Sequence, residues 1–469
     1  MESLFSLNEL WRQFLDLNPT LAATADTAAA QLSHTGSFRS VDLPPGEIYP
    51  LASPLFLPTA TSARIRRTVE LVRLCFEDLA KTIRHDPELT ARLSLFPDPI
   101  RREFFFLPHG YPSHMPLFRA DLAVSDQSAQ LMEINTGCPA GDLDGGLCAE
   151  TWSGLPSVAA FRHFLGERFG TTVRFQAQDT RADILRRLLE CYEEFQQDRP
   201  ESGPTGPTLA IVVGPNQAKH LLPEARGLAD YFHEQGYDTE VGLFDDLTLG
   251  REGLYLNGRP IHLILRKFSS LYLAGVLKPL GQVSATAALA RALLEFIRSK
   301  RICLVNPLGS TTLQDKGLLA EARIRYPQLT EIIPETIILE PELARRQSDL
   351  YHKIAEGNNY ILKRRISFGG KWFKSDPTEI SASLPSIMAK EPGRWIAQRR
   401  LELGQAFFLI NRLGQVTAGK GWVNLASFGD SCYVRVSTDP LSPVNISQNG
   451  AATGVIEVST GGSRLSDTH

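Results

Sequence analysis

The stretch "PLFRADLAVSDQSAQLMEINTGCPAG" carries Arg119, Asp121, Glu133 and Asn135. Residues two apart on a strand share a face. Arg119 therefore sides with Asp121, and Glu133 with Asn135, while the "SDQS" between them reads as a turn that folds one strand back on the other. Such a hairpin gathers two carboxylates and an amide oxygen beside a guanidinium. These are hard oxygen ligands suited to Mg2+, which keeps part of its water shell and binds substrate phosphates. The same pattern also describes a surface hairpin with a structural ion pair.

Two lysines follow far downstream. In "YILKRRISFGGKWF" a strand delivers Lys363 into a loop holding Ser367, Gly369 and Gly370. Paired glycines let backbone N–H groups approach a phosphate, and the lysine supplies a point charge; a plain hairpin with a surface lysine has the same sequence texture. In "NPLGSTTLQDKGLLAEAR", Lys316 stands at the start of a helix, where free N–H groups and the helix dipole favour anions. A capped helix with a solvated lysine is the alternative. A further constellation is nucleophilic: Cys138 of "TGCPAG" with His109 or His114 of "PHGYPSHMP" as base would make a cysteine hydrolase, although an unpaired cysteine is more often packing.

The elements that must position these groups fall into two textures. "SARIRRTVELVRLCFEDLAKTIRHD" repeats apolar residues at three and four and predicts an amphipathic helix over 62–86, and "SVAAFRHFLGERF" and "RADILRRLLECYEEFQQD" predict two more. "RPESGPTGPT" (199–208) reads as a boundary loop. After it, "TLAIVVG", "DTEVGLF", "IHLILRKF" and "ICLVNP" alternate with helical segments, which predicts a parallel α/β sheet over 206–307. Its first turn, "VVGPNQAKH", has no GxGxxG, so a dinucleotide site is a weak proposal. From Asn306 onward, strand pairs separated by glycine-rich turns predict an antiparallel α+β arrangement.

The 469 residues exceed one simple core and predict several lobes. A net charge of −3 gives no global footprint for nucleic acid or anionic membrane. No window approaches the ~20 apolar residues of a membrane helix, and "MESLFSLNELWRQFLDLNPT" lacks the basic and apolar regions of a secretory signal. Six cysteines without CxxC spacing favour reduced thiols and a cytoplasmic protein.

Taken together, these segments resemble the ATP-grasp superfamily of carboxylate–amine ligases. "RADLAVSDQSAQLMEINTGCPAG" is similar to its metal motif, "QDKGLLAEARIRYPQLTEIIPETIIL" to its Asp-Lys helix and following strand, "YILKRRISFGGKWF" to its second lysine and lid, and "WIAQRRLELGQ" to its adenine hinge. The metal motif here precedes both lysines, and Arg435 with "VNISQNGAA" comes near the end, an order that resembles the circularly permuted ATP-grasp proteins. The resemblance covers about 100–150 and 206–455.

It implies an ATP-grasp fold in permuted order, α/β and α+β, with a parallel pre-ATP-grasp domain and helical additions. The implied units are 1–60, of unclear role; 61–155, a helical arm and the metal-binding half; 156–205, a connection; 206–307, the parallel domain; 308–390, the lid; 391–460, the remaining core; and 461–469, a disordered tail. It further implies ATP and Mg2+ as cofactors, with two ions held by Asp121, Glu133 and Asn135. ATP would be bound by Lys316, Lys363, Ser367, Gly369, Gly370, Gln398, Leu401, Gln405, Arg435 and Asn445, and Arg119 would stabilise the reacting carboxyl. Gln405 stands where the family usually has an acid for the ribose hydroxyls. The implied reaction activates a carboxylate as an acyl phosphate and joins it to an amine, on small-molecule or peptide substrates. A nucleotide-binding scaffold without turnover is the non-enzymatic alternative.

Overall fold

The computed structural model describes residues 3–32, 51–96, 98–197, 206–250, 253–278, 284–367, 372–412, 415–439 and 450–461. Gly369, Gly370, Asn445, most of the expected boundary loop and nearly all of the expected tail lie outside these residues.

A nine-stranded sheet organises the molecule. Its main path runs Gln405–Arg412, Leu51–Ala52, Ala451–Thr460, Cys432–Ser437, Gln415–Ser427, Arg119–Val124 and Ala129–Asn135, with Leu55–Pro58 and Val173–Ala177 also on Ala451–Thr460. The expected hairpin is therefore the edge of a sheet completed by the far end of the chain, and Asp121 pairs with Ala426. One long helix, Thr59–His85, covers the expected 62–86 up to its C-cap at Asp86. Its stripe of Ile65, Val69, Val72, Phe76, Leu79 and Ile83 packs into one core with Leu122, Leu131, Ile134, Leu425 and Val434 of the sheet.

The segment before residue 60 gains a structural account. Helices Leu4–Leu17 and Pro19–Leu32 bury Leu7, Trp11 and Phe14 among Phe56, Phe161 and Phe407. Asn8, fully buried there, donates to the carbonyls of Leu4 and Phe56 and accepts from the Phe56 N–H.

Helix Asp142–Ser153 lies so close on the strand Ala451–Thr460 that a Cβ at Gly454 would stand 2.3 Å from the Ala149 nitrogen and 2.6 Å from its Cα. Backbone cannot yield as a side chain can. Gly454→Ala is expected to destabilise the protein by about 1–3 kcal/mol, the scale of core overpacking, read as a lowered urea midpoint; an unchanged midpoint would mean that the helix parts from the strand freely.

The region 206–307 forms the parallel sheet that its alternation predicts. Cys303–Val305, Leu263–Lys267, Leu209–Val213 and Thr239–Leu243 lie side by side in that order, all parallel. Chain order reverses direction between Leu209–Val213 and Leu263–Lys267, so the crevice at their carboxyl ends is where such sheets present polar groups. A third sheet, antiparallel, runs Thr336–Ile338, Trp395–Arg399, Tyr360–Arg364 and Phe373–Lys374. Trp395–Arg399, grouped by sequence with the core after 391, pairs instead with the strand that bears Lys363. Among the described residues, no helix is long and apolar enough to cross a membrane.

Candidate functional site

The hairpin carries its oxygens to one place through a register irregularity. Asp121 pairs with Glu133 and Arg119 with Asn135, but the register shifts between Asp121 and Leu122, whose partner is Leu131. Met132 is the extra residue of this β-bulge. One added residue reverses the alternation of faces. Leu131 thereby enters the core while Glu133 and Asn135 remain beside Asp121.

Asp121 is almost fully buried. The Arg119 guanidinium grips it with two bonds, Nε to Oδ1 at 2.8 Å and Nη2 to Oδ2 at 3.0 Å. Arg435 approaches Oδ2 to 2.7 Å from the neighbouring strands, and the Asn135 Nδ2 donates to the same oxygen at 3.2 Å. Arg435 is itself oriented by the side-chain Oδ1 of Asn424, which accepts from its Nε at 2.9 Å. Arg119 also donates from Nη1 to the Ala140 carbonyl at 2.7 Å.

Both lysines reach this cluster from other elements. Lys316 stands at the N-cap of helix Gly317–Arg325 and places Nζ 3.2 Å from Glu133 Oε2; it also donates to the Ser367 carbonyl at 3.4 Å. Lys363, buried at the inner end of its strand, donates to Gln398 Oε1 at 2.8 Å and to the Met132 carbonyl at 3.4 Å.

The electrostatics are lopsided. Arg119, Arg435, Lys316 and Lys363 face Asp121 and Glu133, an excess of two positive charges in a largely buried cleft. Burial disfavours the Glu133 carboxylate, yet Lys316, Lys363, Arg435 and Arg119 outweigh it and hold this carboxyl well below the ordinary range. Burial, with Lys316 as a like charge, brings Lys363 down to about 8 despite the attraction of Glu133. An anion entering the cleft would relieve that strain.

The sequence-derived residues are not all gathered here. Arg119, Asp121, Glu133, Asn135, Lys316, Lys363 and Arg435 converge, with Ser367 joined through its carbonyl. Gln398, expected at adenine, is 1 % exposed and divides its amide between Lys363 and the Thr336 hydroxyl. Leu401 is half-buried in the following connection, and Gln405 is exposed opposite Trp422. Cys138 and the two histidines do not form a dyad. His109 Nε2 meets the Ser113 carbonyl at 3.0 Å, burial keeps its imidazole down at about 4, and His114 Nδ1 lies 3.2 Å from Glu77.

Sequence reasoning missed the groups that hold the "TGCPAGD" loop. Arg266 donates to the Gly137 carbonyl at 2.8 Å, Lys267 to the Pro139 carbonyl at 2.8 Å and to Asp142 at 2.6 Å, and Asn306 to the Thr136 carbonyl at 2.7 Å. These come from the carboxyl ends of the parallel strands, where the "RK" of "LILRKF" resembles a solvated strand end in sequence. The signal available was its position at the topological switch point.

Among the described residues, no group of three or more His, Cys, Asp or Glu is arranged for a metal ion. The donor set of the cleft is two carboxylates and an amide, a chemistry that fits Mg2+ shared with phosphates. Asp121 is fastened by two guanidiniums, whereas the Glu133 side chain is 28 % exposed. Glu133 and Asn135 are thus the more available oxygens.

No family model and no curated protein matches the chain. Solved structures that it resembles include a glutathione synthetase like-effector from Globodera pallida, at 12% identity and TM-score 0.49 over 87% of this chain and 94% of that one. Another is a putative gamma-glutamylcysteine synthetase from Methylobacillus flagellatus, at 11% identity and TM-score 0.35 over 78% and 82%. A RimK domain protein ATP-grasp from Sphaerobacter thermophilus has 19% identity and TM-score 0.25 over 48% and 88%. In this chain a lysine-bearing antiparallel sheet and an acid-bearing large sheet meet across one charged cleft.

Proposed function

We propose that the protein is an ATP- and Mg2+-dependent ligase that activates a substrate carboxylate and joins it to an amine. The observation that carries this reading is the convergence of Lys316, Lys363, Arg119 and Arg435 on a cleft in which, among the described residues, they face the two carboxylates of Asp121 and Glu133. Such an excess of buried positive charge calls for a polyanion, and a nucleoside triphosphate supplies one. Glu133 and Asn135, with Asp121 behind them, would hold Mg2+, which when bound neutralises phosphate charge and polarises the transferred phosphoryl group.

The chain's own groups then divide the work. Lys316 exchanges Glu133 for phosphate oxygens, and Lys363, freed of its strain by the anion, stays protonated against them. In the first half-reaction a carboxylate oxygen bonds to the γ-phosphorus as ADP leaves. In the second, an amine attacks the acyl carbon, loses a proton to solvent, and phosphate departs. Arg119 faces the second step. Its Nε and one Nη2 hydrogen hold Asp121, and Nη1 holds the Ala140 carbonyl and the Tyr433 hydroxyl, which leaves the second Nη2 hydrogen of a locked guanidinium for the developing oxyanion. The order of motifs supports a permuted chain, since the acid hairpin precedes both lysines while strands after Gln415 complete its sheet.

Wild-type protein should gain thermal stability from ATP only with Mg2+ present. It should also release ADP when pools of candidate carboxylates and amines are added. Arg119→Met should keep most ATP binding and lose about 10²–10³ in turnover, the usual effect of removing one oxyanion donor. A wild type indifferent to Mg·ATP would sink the ligase reading.

A further inference from the structure

Lys316 and Lys363 sit on different elements, and both reach the Glu133 hairpin, Lys316 at the Glu133 carboxylate and Lys363 at the Met132 carbonyl. Flexible ammonium stems under mutual repulsion do not hold a separation by themselves. The structure contains a fastening between the two elements. Asp315 and Arg365, 4 % and 7 % exposed, form a two-pronged pair, Nε to Oδ1 and Nη2 to Oδ2, both at 2.8 Å.

Each partner adjoins a lysine and holds its backbone. Asp315 Oδ1 also accepts the Gly317 N–H at 2.8 Å, so it caps the helix that Lys316 opens. The Arg365 carbonyl accepts the Lys316 N–H at 3.1 Å, and Arg365 directly follows the strand Tyr360–Arg364 that carries Lys363. The remaining donors tie in the surroundings: Nη1 bonds the Gly393 carbonyl at 2.9 Å, ahead of the strand that carries Gln398, and Nη2 bonds the Leu93 carbonyl at 2.7 Å. The packing is close, since a Cβ at Gly317 would lie 2.6 Å from Arg365 Nε.

We propose that the Asp315–Arg365 pair is the positioning device that sets Lys316 and Lys363 at a fixed separation, so that both ammonium groups meet the phosphates of one nucleotide. Neither residue touches the ligand in this assignment. It rests on the ligase reading for the identity of the ligand, but the geometry it asserts concerns the lysines alone. A bidentate guanidinium fork is needed because a lysine at 365 keeps the charge and loses the angular constraint.

The test uses the full chain with Arg365→Lys, Asp315→Asn and the double variant. Two readouts are followed: Mg·ATP affinity by calorimetry, and the pH dependence of acylation at Lys363 by acetic anhydride in ligand-free protein, resolved by mass spectrometry. Each single variant should weaken Mg·ATP by about 10–100-fold, the scale of an ångström-level misplacement, and the double variant should cost no more than the worse single. Lys363 should titrate near 8 in wild type and measurably higher in the variants, because Lys316 draws away. Glu133, Asp121 and Arg435 also face Lys363 and are left in place.

Unchanged affinity and an unchanged lysine titration, with only a lower melting temperature, would overturn the proposal and leave the pair as ordinary stabilisation. If wild type ignores Mg·ATP, the ligase reading falls, and the acylation profiles still decide on the pair. Should Asp315→Asn fail to fold, Arg365→Lys, which retains the buried charge, carries the decision.

Discussion

Asp121→Asn is expected to lower the stability of the ligand-free protein by about 3–5 kcal/mol and to abolish Mg·ATP stabilisation. For a site built from mutually repelling acids, removing one carboxylate would stabilise the metal-free state. Here the opposite sign follows from geometry, because Asp121 lies between Arg119 and Arg435 at hydrogen-bond distances and almost out of contact with water. Breaking such a pair leaves two buried guanidiniums without their counter-ion, which costs far more than an exposed pair does. Glu133→Gln supplies the contrast. Its side chain is 28 % exposed and its partner Lys316 has the Ser367 carbonyl as well, so the loss of stability should be smaller while Mg·ATP binding suffers as much. Urea titrations of the two variants with and without Mg·ATP measure both quantities. A more stable Asp121→Asn would show that the carboxylate is not the counter-ion that the geometry makes it.

Much of this site is legible in the residues because it depends on local periodicity. The two-residue spacings of Arg119 with Asp121 and of Glu133 with Asn135 place each pair on one face of its strand whatever surrounds it. The parallel sheet is legible for a similar reason: four buried runs alternate with helical segments over 206–307. The long helix Thr59–His85 announces itself by its apolar stripe.

What escapes is decided by contacts between distant segments. The bulge at Met132 shifts the phase of the hairpin without any glycine or proline to mark it. Trp395–Arg399 joins the sheet of Lys363 because Ile396 and Ala397 pair with Lys363 and Leu362, a registration that no local pattern expresses. Gln398 is a glutamine near an expected hinge in sequence, whereas in the fold its amide is the partner of a buried lysine. Helices Leu4–Leu17 and Pro19–Leu32 had no assigned role because their partners, Phe161 and Phe407, lie far along the chain. In each case a long-range contact fixes the role after local preference has been satisfied.

Lys363→Met should separate stability from function in the opposite direction to Asp121→Asn. The wild-type lysine is buried against a neutral amide and a carbonyl, with no carboxylate among its hydrogen-bond partners within the described residues. Its pKa falls to about 8, mainly through burial. A folded value below the unfolded one near 10.5 means that folding disfavours the protonated form. That penalty is complete below about pH 8 and is relieved as pH rises from there towards the unfolded value. Ligand-free wild type should therefore gain stability from this group between those limits, and Lys363→Met should not. At pH 7 the methionine variant should be the more stable by on the order of 2 kcal/mol, since it carries no buried charge. It should also bind Mg·ATP at least 10²-fold more weakly, because the anion that relieves the lysine's strain would lose its partner. Wild-type affinity should decline above about pH 8, as binding then requires uptake of a proton, and the decline should be absent from the variant. A methionine variant that is less stable at pH 7, or that binds Mg·ATP with wild-type affinity, would show that Lys363 is held for packing rather than kept under strain for a phosphate.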